Sequence, residues 1–166
     1  MQLTHYNSSF TQRSFPVTLI TDNVSNALNI GSLFRVADAF GVQQLILCGS
    51  HVSMGRKMTK TSRATEKSVS YEIKEDVIEV IRDLKDKNYQ IIVLEITSKS
   101  KPLHQLTFET DAPLALVVGD ENFGITNDIL NTADEVIHIE MFGQNSSMNV
   151  VQATNIALYE ITRQFL

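Results

Sequence analysis

The sequence has little of several features that would place it in a special class of protein. Its 166 residues include one cysteine, which rules out an internal disulfide and a cysteine-based zinc site. No apolar run approaches the roughly 20 residues that a membrane-spanning helix needs, and the N-terminus lacks the basic-then-apolar order of a signal peptide. We therefore expect a protein of the reducing cytoplasm without membrane contact, with Cys48 as a buried thiol.

Positive charge is also scarce, because the formal net charge is -5. An acidic balance by itself argues against a nucleic-acid partner. The distribution of charge argues otherwise, since one segment concentrates basic side chains around the single acid Glu66. Such a cationic loop can contact phosphates, although a solvated surface loop explains the same pattern. The basic residues of this segment are Arg56, Lys57, Lys60, Arg63 and Lys67.

Short apolar runs alternate with amphipathic stretches along the chain. The apolar runs predict strands over 17–20, 45–48, 91–96, 114–119 and 136–139. The amphipathic stretches predict helices over 29–40, 75–87, 126–132 and 148–165. Continuous apolar strands separated by helices are typical of an α/β fold, a parallel sheet flanked by helices. We expect one domain over residues 1–166, of which 1–16 are a short N-terminal extension.

Polar stretches follow several of the predicted strands, at the edge of the sheet where α/β proteins bind ligands. The stretch MFGQNSSMNVVQA, residues 141–153, follows the last predicted strand and opens the last helix. It is flexible, polar and uncharged before the helix begins, which is typical of a loop that offers its backbone groups to a ligand. Ser147 is the expected N-cap of the helix.

Two further segments carry charged residues at unusual places. Arg35 interrupts the apolar stripe of the first helix and therefore needs a partner or an anion. Pairing with Asp38 or Asp22 of its own chain would meet that need equally well.

After the fourth predicted strand, glycines enclose a tight turn in which Glu121 either caps a helix or orients an arginine.

The order and spacing of these segments form three motifs. The first, N-x-G-x-x-x-R-x-A-x-x-F-G, spans 29–41, and the second, G-x-E-x-x-G, spans 119–124. The third, I-P-M-x-G-x-x-x-S-L-N-V, spans 139–150, where Glu140 replaces its proline and Met148 its leucine. From about Val17 to the C-terminus, the chain thereby resembles the SpoU (TrmH-type) RNA 2′-O-ribose methyltransferases of the SPOUT superfamily.

The resemblance implies methyl transfer from S-adenosyl-L-methionine to a ribose 2′-hydroxyl of tRNA, or of rRNA, by a homodimer that needs no metal. It also implies a deep trefoil knot in the C-terminal half. The cofactor would be held by backbone around Thr97, Gly119, Ile139 and Met148. The catalytic residues would be Asn29, Arg35, Glu121, Ser147 and Asn149, and the RNA-binding residues would be Arg56, Lys57, Lys60 and Arg63.

Physical chemistry narrows the role of one of these residues. A guanidinium is not deprotonated in proteins, so we expect Arg35 to hold a substrate phosphate and stabilise the developing alkoxide. Glu140 would bring an anion near the cofactor if its carboxylate pointed inward, but we expect it to point outward.

Two other functions stay open at this point. One is a module that binds the cofactor and RNA without turnover. The other is a flavodoxin-like nucleotide-binding protein, although no G-x-G-x-x-G or P-loop follows the first predicted strand.

Overall fold

The computed structural model describes residues 8, 10–120 and 122–166, and one seven-stranded sheet runs through them. Its strands are β1 Phe15–Asp22, β2 Val42–Cys48, β3 Tyr71–Lys74, β4 Gln90–Leu94, β5 Lys101–Pro102, β6 Leu114–Gly119 and β7 Glu135–His138. The helices are α1 Ala27–Ala39, α2 Arg56–Ser62, α3 Val77–Asp86, α4 Asn127–Thr132 and α5 Val150–Gln164, with 3-10 turns at Thr65–Lys67 and Leu103–Gln105.

The strands lie in the order β3-β2-β1-β6-β4-β7-β5, and all neighbours are parallel. Successive side chains of a strand point to opposite faces, so each central strand contributes to two apolar cores. One core lies between the sheet and the helices α1 and α5, and the other between the sheet and α3 and α4. The predicted α/β fold with a parallel sheet flanked by helices is confirmed. Within the described residues, no helix has the length and apolarity to cross a membrane.

All five predicted strands and all four predicted helices are present, with ends that differ by a few residues. The strand β3 was missed because its four residues are all exposed, which leaves no buried face to read from the pattern. The strand β5 was missed because it is only two residues long. Cys48 is fully buried, as expected.

Two local predictions are wrong. The basic segment is not a loop, because residues 56–62 form the helix α2, which packs against α1. The N-cap of α5 is Asn149 rather than Ser147, since the Asn149 side chain accepts a hydrogen bond of 2.9 Å from the backbone N–H of Val151. The last helix therefore begins at Val150, two residues later than predicted.

The position of α2 depends on Gly31 in the middle of α1. A β-carbon at this position would lie 2.6 Å from the backbone oxygen of Met58 and 2.7 Å from the β-carbon of Thr61. Both distances are shorter than van der Waals contact allows. Only glycine lets the two helices approach so closely, and this approach holds the basic residues of α2 beside α1.

We predict that Gly31→Ala destabilises the protein by about 1–3 kcal/mol, because the added methyl group overpacks the α1–α2 contact. At an open helical position the same change would stabilise the protein by roughly 1 kcal/mol. The sign of the change in stability therefore shows whether α2 packs closely against Gly31. Urea unfolding followed by circular dichroism measures it. Gly143→Ala is the matched control, since nothing lies within 4 Å of a β-carbon built there. A stability of Gly31→Ala equal to or above the wild type would contradict the close approach.

Candidate functional site

A cavity of about 190 Å³ opens at the carboxyl ends of β4, β6 and β7, and we call it the strand-end cavity. The segments that follow the three strands form its floor, and the loop before α5 together with the first turn of that helix closes it. Its walls are apolar with a few polar groups between them, which suits a small organic ligand. The lining residues are Leu94, Glu95, Ile96, Val118, Gly119, Asp120, Gly124, His138, Ile139, Met141, Ser146, Ser147, Met148, Val150 and Ala153.

The turn after β6 lines this cavity through Gly119, Asp120 and Gly124. Its backbone is held by a 2.8 Å hydrogen bond from the N–H of Gly124 to the oxygen of Asp120. Gly124 adopts a φ of 63°, which favours glycine. At Gly119, a β-carbon would lie 2.8 Å from the δ-carbon of Ile125 and 3.0 Å from the backbone oxygen of Gly124, so the turn packs tightly against this position. Glu121, predicted to hold this turn or Arg35, lies outside the described residues.

The electrostatic character of the strand-end cavity comes from carboxylates. Glu95 and Asp120 line it, and none of its described lining residues is a lysine or an arginine. Glu95 is held in place because its Oε2 accepts a hydrogen bond of 3.1 Å from the backbone N–H of Ile125. Such a cavity favours a ligand that carries positive charge.

His138 adds a polar side chain to the lining. Its Nδ1 lies 2.9 Å from the hydroxyl oxygen of Ser100, which itself donates to the backbone oxygen of Thr97 and accepts from the N–H of Thr97. Thr97, predicted to hold a cofactor, is thus part of a closed hydrogen-bonded turn beside the cavity. It does not line the cavity, whereas its neighbour Ile96 does.

The first and third motifs meet beside the cavity. The side-chain amide of Asn149 donates to Oδ1 of Asn29 over 3.3 Å, which joins the start of α5 to the first turn of α1. Ser147 lines the cavity two residues before Asn149, and its hydroxyl is 3.4 Å from Oδ1 of Asn145. Of the predicted site residues, the structure therefore brings together Asn29, Ser147, Asn149, Gly119, Ile139 and Met148.

Arg35 lies apart from this group, further along α1. Its side chain is exposed, and it has no hydrogen-bond or ion-pair partner within the described part of the chain. Asp38 and Asp22 do not pair with it, since they accept hydrogen bonds from Ser68 and Asn23 instead. The guanidinium is therefore available for an anion from outside the chain.

The basic helix α2 lies beside Arg35. Residues 31, 35 and 38 share one side of α1, where Gly31 approaches α2 and Asp38 accepts a hydrogen bond from Ser68, just after the basic segment. Glu66, the one acid of that segment, bonds to the hydroxyl of Ser62, which lowers the pKa of the Glu66 carboxyl. A cationic surface thus combines Arg35 with the exposed side chains of Arg56, Lys57, Lys60 and Arg63, none of which has an ion-pair partner among the described residues.

Glu140, which occupies the proline position of the third motif, points away from the strand-end cavity. Its Oε2 lies 3.7 Å from Nδ1 of His104, and its side chain does not line the cavity. The expected outward orientation is confirmed.

Besides Ser146 in the loop before α5, three polar lining residues were not predicted as site residues: Glu95, Asp120 and His138. Each lies at the carboxyl end of a strand of the parallel sheet, where α/β proteins bind ligands. A charged residue directly after an apolar run was the signal that could have identified Glu95. Among the described residues, no group of three or more His, Cys, Asp or Glu side chains could hold a metal ion.

Asp22 is a buried acid at the end of β1, beneath the turn after β6. Its backbone oxygen accepts a hydrogen bond of 3.1 Å from the N–H of Asp120. Burial raises the pKa of the Asp22 carboxyl, and the charge of Asp76 adds to this effect. The folded protein therefore binds the Asp22 proton more tightly than the unfolded chain does.

We predict that Asp22→Asn stabilises the protein at pH 7. Wild-type stability falls as pH rises from the unfolded carboxyl pKa through the raised folded pKa, and the asparagine avoids this loss because it cannot ionise. Urea midpoints at pH 7 and in acid measure the effect, with the exposed Asp111→Asn as control. The gain should disappear in acid, where Asp22 is protonated. A gain of equal size at both pH values would contradict the account.

Comparison with known proteins places the chain among RNA-modifying enzymes by sequence. A model of the SpoU rRNA Methylase family matches residues 16–159. The tRNA (guanosine(18)-2′-O)-methyltransferase of Aquifex aeolicus (strain VF5) is 29% identical over 153 residues, which are 92% of this chain and 72% of that protein. The 23S rRNA (guanosine-2′-O-)-methyltransferase RlmB of Haemophilus ducreyi is 31% identical, and the match covers 96% of this chain and 65% of that relative.

Solved structures agree in fold. The crystal structure of the A. aeolicus TrmH/SpoU tRNA modifying enzyme has a TM-score of 0.82 and 29% identity, and the match covers 92% of this chain and 77% of that one. The SpoU methyltransferase AviRb from Streptomyces viridochromogenes, solved in complex with AdoMet, has a TM-score of 0.78 and 24% identity, covering 93% of this chain and 59% of that one. The second likeness concerns the fold alone.

Proposed function

The chain belongs to the SpoU rRNA Methylase family, and we propose that it transfers a methyl group from S-adenosyl-L-methionine to a ribose 2′-hydroxyl of RNA. The observation that carries this proposal is the hydrogen bond between Asn29 and Asn149 beside the strand-end cavity. It joins the first motif to the third, next to a cavity lined by the second and third. The relatives named for tRNA and 23S rRNA guanosine 2′-O-methylation support RNA as the substrate.

The lining of the strand-end cavity suits the proposed cofactor in charge and polarity. When bound, S-adenosyl-L-methionine supplies a methyl group activated by a positively charged sulfonium sulfur. The carboxylates of Glu95 and Asp120 complement that positive charge, and the apolar walls suit the faces of an adenine ring. Main-chain groups around Gly119, Ile139 and Met148 would hold the cofactor, with the segment around Thr97 beside it.

The side chains around the cavity would orient the ribose. Asn29 and Asn149 hold each other in place, and the Ser147 hydroxyl lines the cavity within two residues of Asn149. These three groups can donate hydrogen bonds to the ribose or accept them from it, so that the 2′-oxygen approaches the methyl carbon in line with the departing sulfur. The carbon–sulfur bond would break to leave a neutral thioether, and the 2′-hydroxyl proton would pass to solvent. Glu121 would hold the turn after β6 or orient Arg35. The sulfonium is already a good leaving group, so the proposed transfer needs no metal.

Arg35 would bind a substrate phosphate and stabilise negative charge that develops on the 2′-oxygen. It is suited to this role because its guanidinium is exposed and without a partner in the described residues. The cationic surface of α2 would extend the contact along the RNA backbone, where each cation that neutralises a phosphate releases counterions. We propose tRNA as the first substrate to test and rRNA as the second. The RNA-binding residues would be Arg56, Lys57, Lys60 and Arg63.

Three features of the assembly are also part of the proposal: a homodimer, a trefoil knot and a cytoplasmic location. Exposed apolar side chains on α5, Ile156 and Tyr159, support a second copy packed against that helix. Hydrogen bonds of Gln164 on α5 to the backbone of Leu106 and Phe108 support a C-terminal helix enclosed by the preceding chain, as a knot requires. An RNA substrate and a single buried cysteine fit a cytoplasmic protein.

We predict that Arg35→Ala lowers kcat/KM for RNA at least about 100-fold, because a charge that stabilises the transition state is removed. Cofactor affinity should stay within about twofold, since Arg35 does not line the strand-end cavity. The matched control is Arg82→Ala, which removes an exposed arginine of α3 on the other face of the sheet. The assay is transfer of labelled methyl groups to unmodified tRNA and rRNA, followed by nucleoside analysis.

A labelled 2′-O-methylnucleoside from the wild type establishes the reaction. Cofactor binding without transfer to either RNA would favour a module that binds without turnover. Full activity of Arg35→Ala would contradict the role given to the guanidinium.

A further inference from the structure

A second cavity, of about 220 Å³, lies at the carboxyl ends of β1 and β2, and we call it the β1–β2 cavity. Residues 23–25, the start of the loop from β1 to α1, form one wall. The end of β2 and the segment after it, with Cys48 and His51, form another. Phe123, from the turn after β6, stands at the rim with 86% of its side chain exposed.

The chemistry of this lining does not suit a phosphate. Its described residues include no lysine, arginine, aspartate or glutamate. The Cys48 thiol stays protonated, because burial and the charges of Asp22 and Asp76 raise its pKa to about 12. The described lining thus carries no acidic side chain, no lysine and no arginine.

The lining of the β1–β2 cavity nevertheless contains polar groups that can form hydrogen bonds with a ligand. Ser25 and His51 line the cavity and have no hydrogen-bond partner within the described part of the chain. Asn23 lines it too, with its amide oriented by a 3.0 Å hydrogen bond to Oδ1 of Asp22. A hydroxyl, an imidazole and an amide beside an exposed phenyl ring suit a flat, uncharged ligand with donors and acceptors at its edge. Among the components of RNA, that description fits a nucleobase.

The two cavities are neighbours across the turn after β6. Gly119, Asp120 and Gly124 of this turn line the strand-end cavity, while Phe123 lines the β1–β2 cavity. The loop that forms one wall of the β1–β2 cavity leads directly into the first turn of α1, where Asn29 bonds to Asn149. A nucleotide that spans the turn would place its base on one side and its ribose on the other.

We propose that the β1–β2 cavity receives the base of the nucleotide whose ribose is methylated, with that base stacked on Phe123. This proposal rests on the proposed function, since it uses the ribose position beside Asn29 and Asn149. Proteins that recognise unpaired RNA stack splayed bases on aromatic side chains and bond to the edges of those bases. Enzymes that act on a nucleotide within a helix extrude it into such a pocket.

The kinetic test compares Phe123→Ala with Phe10→Ala in methyl transfer to RNA. Loss of one base–aromatic stack should raise KM for RNA by about 5- to 150-fold, while cofactor affinity stays unchanged. Phe10 is the control, because its ring is 88% exposed and lines neither cavity. Phe123→Tyr keeps an aromatic face and should restore KM to within about threefold of the wild type.

A binding test does not depend on methyl transfer. Guanosine 5′-monophosphate and ribose 5-phosphate are titrated into the wild-type protein while the imidazole resonances of His51, assigned with His51→Gln, are followed by NMR. The nucleotide should shift these resonances and ribose 5-phosphate, which lacks the base, should not. Phe123→Ala should weaken the nucleotide response.

The results of the two tests distinguish a failure of the base-binding proposal from a failure of the proposed function. If no RNA is methylated by the wild type, the proposed function fails, and the NMR titration still decides whether the cavity binds a base. Equal responses to guanosine 5′-monophosphate and ribose 5-phosphate, or no response to either, would overturn the proposal. An unchanged KM in Phe123→Ala, or an equal rise in Phe10→Ala, would also overturn it.

Discussion

One hydrogen bond, from the side chain of Asn149 to that of Asn29, connects the parts of the chain on which the site depends. The same Asn149 side chain caps α5 by accepting from the N–H of Val151, so its orientation is fixed by the helix it begins. The bond spans 120 residues of sequence and ties the first turn of α1 to the loop that closes the strand-end cavity. Loss of this amide would free the end of that loop and leave Asn29 without one of its partners.

The distribution of charge over the protein surface depends on where its few basic side chains lie. The chain is acidic, and two of its carboxylates, Glu95 and Asp120, line the strand-end cavity. The basic residues of α2 are held beside Arg35 by the close approach at Gly31. A cationic cofactor and an anionic RNA would therefore meet surfaces of opposite sign a short distance apart. This arrangement explains how an acidic protein can serve a nucleic-acid substrate.

The sequence predicted well those features that depend on local patterns. The buried faces of α1 and α3 follow from helical periodicity, and the strands from apolar runs, because burial on a sheet or helix face leaves a repeat in the sequence. The spacing of the three motifs placed Ser147, Asn149 and Gly119 at one edge. The exposed strand β3 carries no such repeat, so it could not be recognised.

Features that depend on tertiary contacts were not predictable in the same way. The helix α2 is supported by its contact with α1, and nothing in its own residues distinguishes it from a basic loop. The N-cap of α5 was assigned to Ser147 because serine is a preferred N-cap, whereas the side chain that accepts a hydrogen bond from the first turn of the helix, at the N–H of Val151, is that of Asn149. The β1–β2 cavity is lined by residues from three separate segments of the chain, so no single sequence motif predicts it.

We infer that the carboxyl edge of the sheet holds S-adenosyl-L-methionine in the strand-end cavity. A crystal structure of the protein with S-adenosyl-L-homocysteine, the product form of this cofactor, tests it most directly. We expect electron density for the ligand between the main chain of Gly119, Ile139 and Met148, with its sulfur facing the Asn29–Asn149 pair. A ligand bound elsewhere, such as in the β1–β2 cavity, or no binding at millimolar ligand in solution, would contradict it.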